Sequence, residues 1–142
     1  MKKLKTLMAA SLVAAAGFSG AASAHDYLGT LGAAAAAKDI WYFSCLNPNT
    51  AKVQLQVKRQ AGTPCVKAAL SGTALTATSC STTTFTTLQQ VAAGAGNKFF
   101  IVNKNPALAG TLSYTVRAHC IDNTGVHNPA DQTTPQTYLQ NQ

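Results

Sequence analysis

Glutamate is absent from this chain, and its only acids are Asp26, Asp39, Asp122 and Asp131. Glycoside hydrolysis by paired carboxylates needs two acids converging on one bond, and four aspartates so far apart in sequence do not offer that pair. No two cysteines lie close enough for a CxxC motif, which removes the common zinc and dithiol spacings. A GxSxG turn, a phosphate-binding loop and a dinucleotide glycine motif are all missing. Gly94-Ala95-Gly96-Asn97 reads as a turn before a strand instead. Serines, three histidines and Asp122 or Asp131 could formally compose a Ser-His-Asp set, but without the nucleophile turn the expectation is that the protein is not an enzyme.

The start of the chain is the clearest feature present. Lys2, Lys3 and Lys5 precede an apolar run from Leu7 to Phe18, and small residues lead to Ala22-Ser23-Ala24. This is the layout of a secretory signal peptide over residues 1–24, with cleavage after Ala24. The run is too short to span about 30 Å of hydrocarbon, and no second one follows, so no membrane span is expected in the remaining chain. The expected location is exported: periplasm, cell surface or extracellular space.

Beyond residue 24, eight Lys and Arg against four Asp give a net charge of +4. The bases are scattered, with only Lys58-Arg59 adjacent, and nucleic acid is not an expected partner. Both methionines, Met1 and Met8, lie in the signal segment. Threonine and β-branched residues are abundant and charge is sparse, a composition that suits strands and leaves little charge to oppose edge-to-edge association.

Cys45, Cys65, Cys80 and Cys120 form an even set, which in an exported protein predicts disulfides. The segment CVKAALSGTALTATSC reads as a hairpin turning at Gly72-Thr73, a glycine-first pair suited to a II′ turn. Opposed positions then have constant sum, which places Leu70 against Leu75, Ala68 against Ala77 and Cys65 against Cys80. Both cysteines fall on the polar face of that hairpin, within bridging reach. By elimination Cys45 pairs with Cys120.

From Asp39 onward the hydrophobic period is two. Trp41, Phe43 and Cys45 share one face, Val53, Leu55 and Val57 another, and Leu112, Tyr114, Val116, Ala118 and Cys120 a third. Residues 83–91 read as a less regular strand, and 98–103 as a buried strand apolar on both sides. The fold expected is all-β, a small antiparallel β-sandwich of about seven strands. It is disulfide-stapled, spans residues 39–120, and carries a flexible N-terminal leader (25–38) and a polar, extended C-terminal tail (121–142). The alanines Ala33 to Ala37 favour helix but are too few to hold one alone.

The order D-x-W-x-F, V-x-L-x-V, the CVKAAL…ATSC hairpin and GNKFFIVNKNPALAGTLSYTVRA resembles the bacterial pre-peptidase C-terminal domain. Asp39, Trp41, Phe43, Gly96, Phe99, Phe100, Val102, Tyr114 and Val116 carry the resemblance, over residues 39–120. The hairpin departs from it, with Lys67 and threonines where that family carries more acids. The resemblance implies a secreted β-sandwich accessory or binding module.

Histidines supply the remaining chemistry. Cleavage after Ala24 would give His25 both an imidazole and an α-amine, and His119 or His127 could add a second imidazole. Such nitrogen ligands suit Cu(II). The primary expectation is no cofactor, with the three histidines as solvated residues; copper is the alternative. Trp41 and Phe43 are expected in the core, while Tyr42, with Phe100, is a candidate for an exposed stacking patch. The leading functional expectation is a non-enzymatic binding or assembly module at the cell surface, with a protein, a glycan or further copies of itself as partner. Leader and tail are each candidates to add a strand to a neighbouring subunit.

Overall fold

The computed structural model describes residues 25–128, 130, 132, 133 and 136–141; the expected signal peptide lies outside these. Nine strands are described: β1 (Asp26–Leu31), β2 (Lys38–Cys45), β3 (Thr50–Gly62), β4 (Cys65–Leu70), β5 (Thr76–Ser79), β6 (Gln89–Ala92), β7 (Gly96–Asn105), β8 (Leu112–Asp122) and β9 (Gln136–Asn141). They form two antiparallel sheets, β1-β8-β3-β6 and β5-β4-β7-β2-β9. No helix among the described residues is long and apolar enough to cross a membrane.

The core lies between the sheets, where period-two alternation from both inner faces meets. Val53, Leu55 and Val57 of β3 are fully buried, as are Leu112 and Val116 of β8. They face Phe43 of β2 and Phe100 and Val102 of β7. Tyr27 sits at the centre of the aromatic packing, its ring centroid 4.6 Å from Phe100, 5.6 Å from Trp41 and 5.9 Å from Phe43. Edge-to-face geometry at these separations sets the positive ring edge against a negative face.

The disulfide Cys65–Cys80 closes the β4–β5 hairpin, whose register pairs Val66 with Ser79 and Ala68 with Ala77. The turn itself differs from the two-residue II′ form. Thr73 N donates to Leu70 O, which puts Gly72, at φ 75°, in the third position of a four-residue turn. A type II turn needs a positive φ there. The Thr73 hydroxyl also donates to Leu70 O and accepts from Leu75 N, which widens the loop without shifting the register. Cys45–Cys120 bridges β2 to β8, one sheet to the other, over a Cα separation of 5.7 Å.

Residues 25–38 and 121–142, expected as leader and tail beyond the sandwich, each contribute a strand to it. β1 pairs along its whole length with β8 and buries Tyr27 and Leu31. β9 pairs with β2 at the outer edge of the five-stranded sheet. The alanine run forms a turn rather than a helix. Ala37 N donates to Ala34 O, and the buried Lys104 ammonium donates to Gly32 O and Ala34 O at 2.6 and 2.7 Å. Those contacts hold the segment in a turn. The strand expected over 83–91 shortens to β6, because residues 81–86 run beside β3. There Thr86 N donates to Val57 O, and Phe85 lies over the outer face, with the Arg117 guanidinium carbon 4.1 Å from its ring centroid.

Candidate functional site

Two features stand out: a cluster of all three histidines at one end of the sandwich, and an apolar strip on an outer sheet face.

His25 immediately precedes β1, whose Asp26 lies opposite Arg117 of β8, so the His25 backbone reaches β8 close to His119. His119 occupies the outer face of β8, two residues beyond Arg117, which is ion-paired with Asp26 at 2.9 Å. His127 arrives by a tight reversal after β8. The Asp122 carboxylate accepts from Thr124 N, the Thr124 hydroxyl and Val126 N, and Asp122 N donates to Val126 O. The Thr124 and Val126 hydrogen bonds, which favour the ionised form, hold the Asp122 pKa below its usual value. The reversal folds His127 back over the end of β8.

The result is a stack. The His119 and His127 rings are 4.3 Å apart and within 8° of parallel, and His25 meets His127 edge-on at 5.7 Å. His127 Nδ1 lies 3.0 Å from the carbonyl oxygen of Cys120. A carbonyl only accepts, so Nδ1 carries the proton, and in the neutral ring Nε2 holds a lone pair. The Nε2 atoms of both His119 and His127 are buried with no hydrogen-bond partner. Burial, followed by the charges of His127, Arg117 and His25, lowers the His119 pKa to about 4. His119 is therefore neutral at ordinary pH. As placed, no three His, Cys, Asp or Glu side chains among the described residues already surround a single point.

The apolar strip runs across the outside of the five-stranded sheet. Ala69 of β4, Ile101 of β7, Ile40 of β2 and Leu139 of β9 lie directly opposite one another in register. Beside that row Tyr42 packs on Phe99 at 5.8 Å, and Phe99 on Tyr138 at 5.6 Å. Tyr138 is 69% exposed and Leu139 45%. Tyr42 is thus on an outer face as expected of it, but its neighbour is Phe99. The expected partner Phe100 is fully buried, because the antiparallel register sets Tyr42 opposite Phe99 and points Phe100 inward. The apolar character on both sides of residues 98–103 therefore reflects one buried face and one open face, not burial on both.

Between β5 and the 81–87 segment lies an open cleft of about 530 Å³ lined by Thr76, Thr78, Ser81, Thr84 and Phe85 among others. No free titratable side chain lines it. Inside the core, Tyr114 donates to the buried Asp39 carboxylate and accepts from Trp41 Nε1 at 2.7 Å. Desolvation raises the Asp39 pKa despite the tyrosine hydrogen bond. This buried triad ties the two sheets together.

Comparison with protein-family models, curated proteins and solved structures gives no match, so the functional reading rests on this geometry.

Proposed function

We propose that the chain is an exported, non-enzymatic assembly module whose copies associate through the apolar outer face of the five-stranded sheet. The observation that carries this reading is the Ala69–Ile101–Ile40–Leu139 row, crossing four adjacent strands on a face that no other strand among the described residues covers. Contiguous apolar patches on isolated proteins mark association sites, and aromatic residues are enriched at the centre of such interfaces. The charged side chains on the same face of these strands are basic and few: Lys38 and Lys67, both opposite Asn103. β9 is the outermost described strand beside the strip, so strand pairing along its outer edge extends the same contact.

Tyr42 and Phe99 are inclined by 32° and Phe99 and Tyr138 by 79°, so the three rings present no shared flat platform to a glycan. Two disulfides and the signal-like start support an oxidising, exported setting.

The test is sedimentation of the wild type and of Phe99→Lys and Ile101→Lys over a wide concentration range. The wild type should self-associate, and each variant should sediment as a folded monomer. A wild type that stays monomeric throughout, or variants that associate equally well, would overturn the reading.

A further inference from the structure

We propose that His119 and His127, together with His25, form a binding site for a Cu(II) ion at the end of the sandwich beside the Cys45–Cys120 disulfide. This goes beyond the assembly reading and stands on different residues.

The fold gathers the three imidazoles at one place and fixes the orientation of one of them. His127 Nδ1 donates to the Cys120 carbonyl, which fixes the ring and leaves Nε2 as the ligating atom. Metal-bound histidines characteristically donate their other ring nitrogen to a backbone carbonyl or carboxylate in this way. A buried Nε2 without a hydrogen bond costs free energy on each of His119 and His127, a cost a metal ion would remove. The rings as placed are nearly parallel, so closing the site requires them to tilt until both Nε2 atoms, each about 2 Å from the metal, lie roughly 3 Å from each other.

The identity of the ion follows from what surrounds it. All four cysteines are in disulfides and both methionines lie before residue 25, so no thiolate or thioether is present to favour Cu(I). Asp26, the carboxylate nearest the cluster in sequence, is engaged by Arg117 Nε and Nη2, so a hard oxygen-loving cation is poorly served. Among divalent ions that favour imidazole, Cu(II) binds a given nitrogen site most tightly.

The experiment titrates copper(II) sulfate into the exported full chain, whose N-terminal residue is first read by mass, with electron paramagnetic resonance and calorimetry as readouts. One equivalent should bind, with hyperfine splitting from several nitrogens. His119→Gln and His127→Gln should each weaken binding by at least the roughly 100-fold seen on losing an outer-shell partner. Intact disulfides and an unchanged circular dichroism spectrum would establish that the variants fold. A copper affinity unchanged in both variants would assign binding to the N-terminus alone and overturn the proposal. So would the lack of stoichiometric binding by the wild type. Neither outcome bears on self-association through the opposite feature, so the two readings fail independently.

Discussion

His127 Nδ1 donates a hydrogen bond to the carbonyl oxygen of Cys120, the residue whose sulfur ties β8 to β2. The only turn in this part of the chain that Asp122 caps through its side chain therefore hands a histidine back to the strand it has just left. The expected consequence is a single tautomer. In chelator-treated protein at about pH 8.5, above the ordinary imidazole range, nitrogen NMR should show His127 protonated at Nδ1 and bare at Nε2. A proton on Nε2 would contradict the placement of the ring.

Gly29 of β1 faces inward against the ring of Tyr114, and a Cβ there would lie 2.3 Å from the tyrosine oxygen. Gly29→Ala must displace that ring and with it the bonds to Asp39 and Trp41. A destabilisation of about 2–4 kcal/mol is expected, from overpacking and the buried polar groups left unpaired. Urea unfolding measures it, and a cost below about 0.5 kcal/mol would show that β1 does not sit there.

Asp39 gives a pH dependence of definite sign. Its folded-state pKa is raised, so the folded chain holds this proton to higher pH than the unfolded chain does. The stability associated with that proton is complete below the unfolded value of about 3.9 and is lost as pH rises through the folded value. Asp39→Asn removes this titration while keeping an acceptor for Tyr114. The stability of the variant relative to wild type should therefore improve from pH 4 towards neutrality; a difference that stays flat would contradict the assignment.

The two disulfides should not contribute equally. They close loops of 15 and 75 residues. Chain entropy then assigns about 3 kcal/mol to Cys65–Cys80 and about 4.5 kcal/mol to Cys45–Cys120. Paired Cys→Ala variants compared by denaturant midpoint test this order. The reverse order would mean that the bridge between sheets strains the native state.

Legibility in the sequence followed burial. β8 alternates cleanly from Leu112 to Cys120, and the β4–β5 register follows from the residues alone, because one face of each is buried. β1 was hidden because its inward positions are Tyr27, Gly29 and Leu31, and the central one is a glycine covered by Tyr114, so the apolar alternation is broken. β9 was hidden for the opposite reason: Tyr138, Leu139 and Gln140 are all exposed, so burial imposes no period on it. The histidine cluster joins positions 25, 119 and 127, which only the β1–β8 pairing and the turn after β8 bring together. The one local signal for it was Asp122-Asn123-Thr124-Gly125, a turn sequence that places His127 back over β8. The sequence puts Phe100 rather than Phe99 beside Tyr42, because adjacent phenylalanines leave parity undecided until the partner register is known.

Native mass spectrometry of the protein, purified without reductant or chelator, tests the central claim most directly. The account predicts a defined oligomer that dissociates when Phe99 is replaced by lysine, each subunit four hydrogens lighter than the reduced chain. A wild-type protein that appears only as a monomer would contradict it.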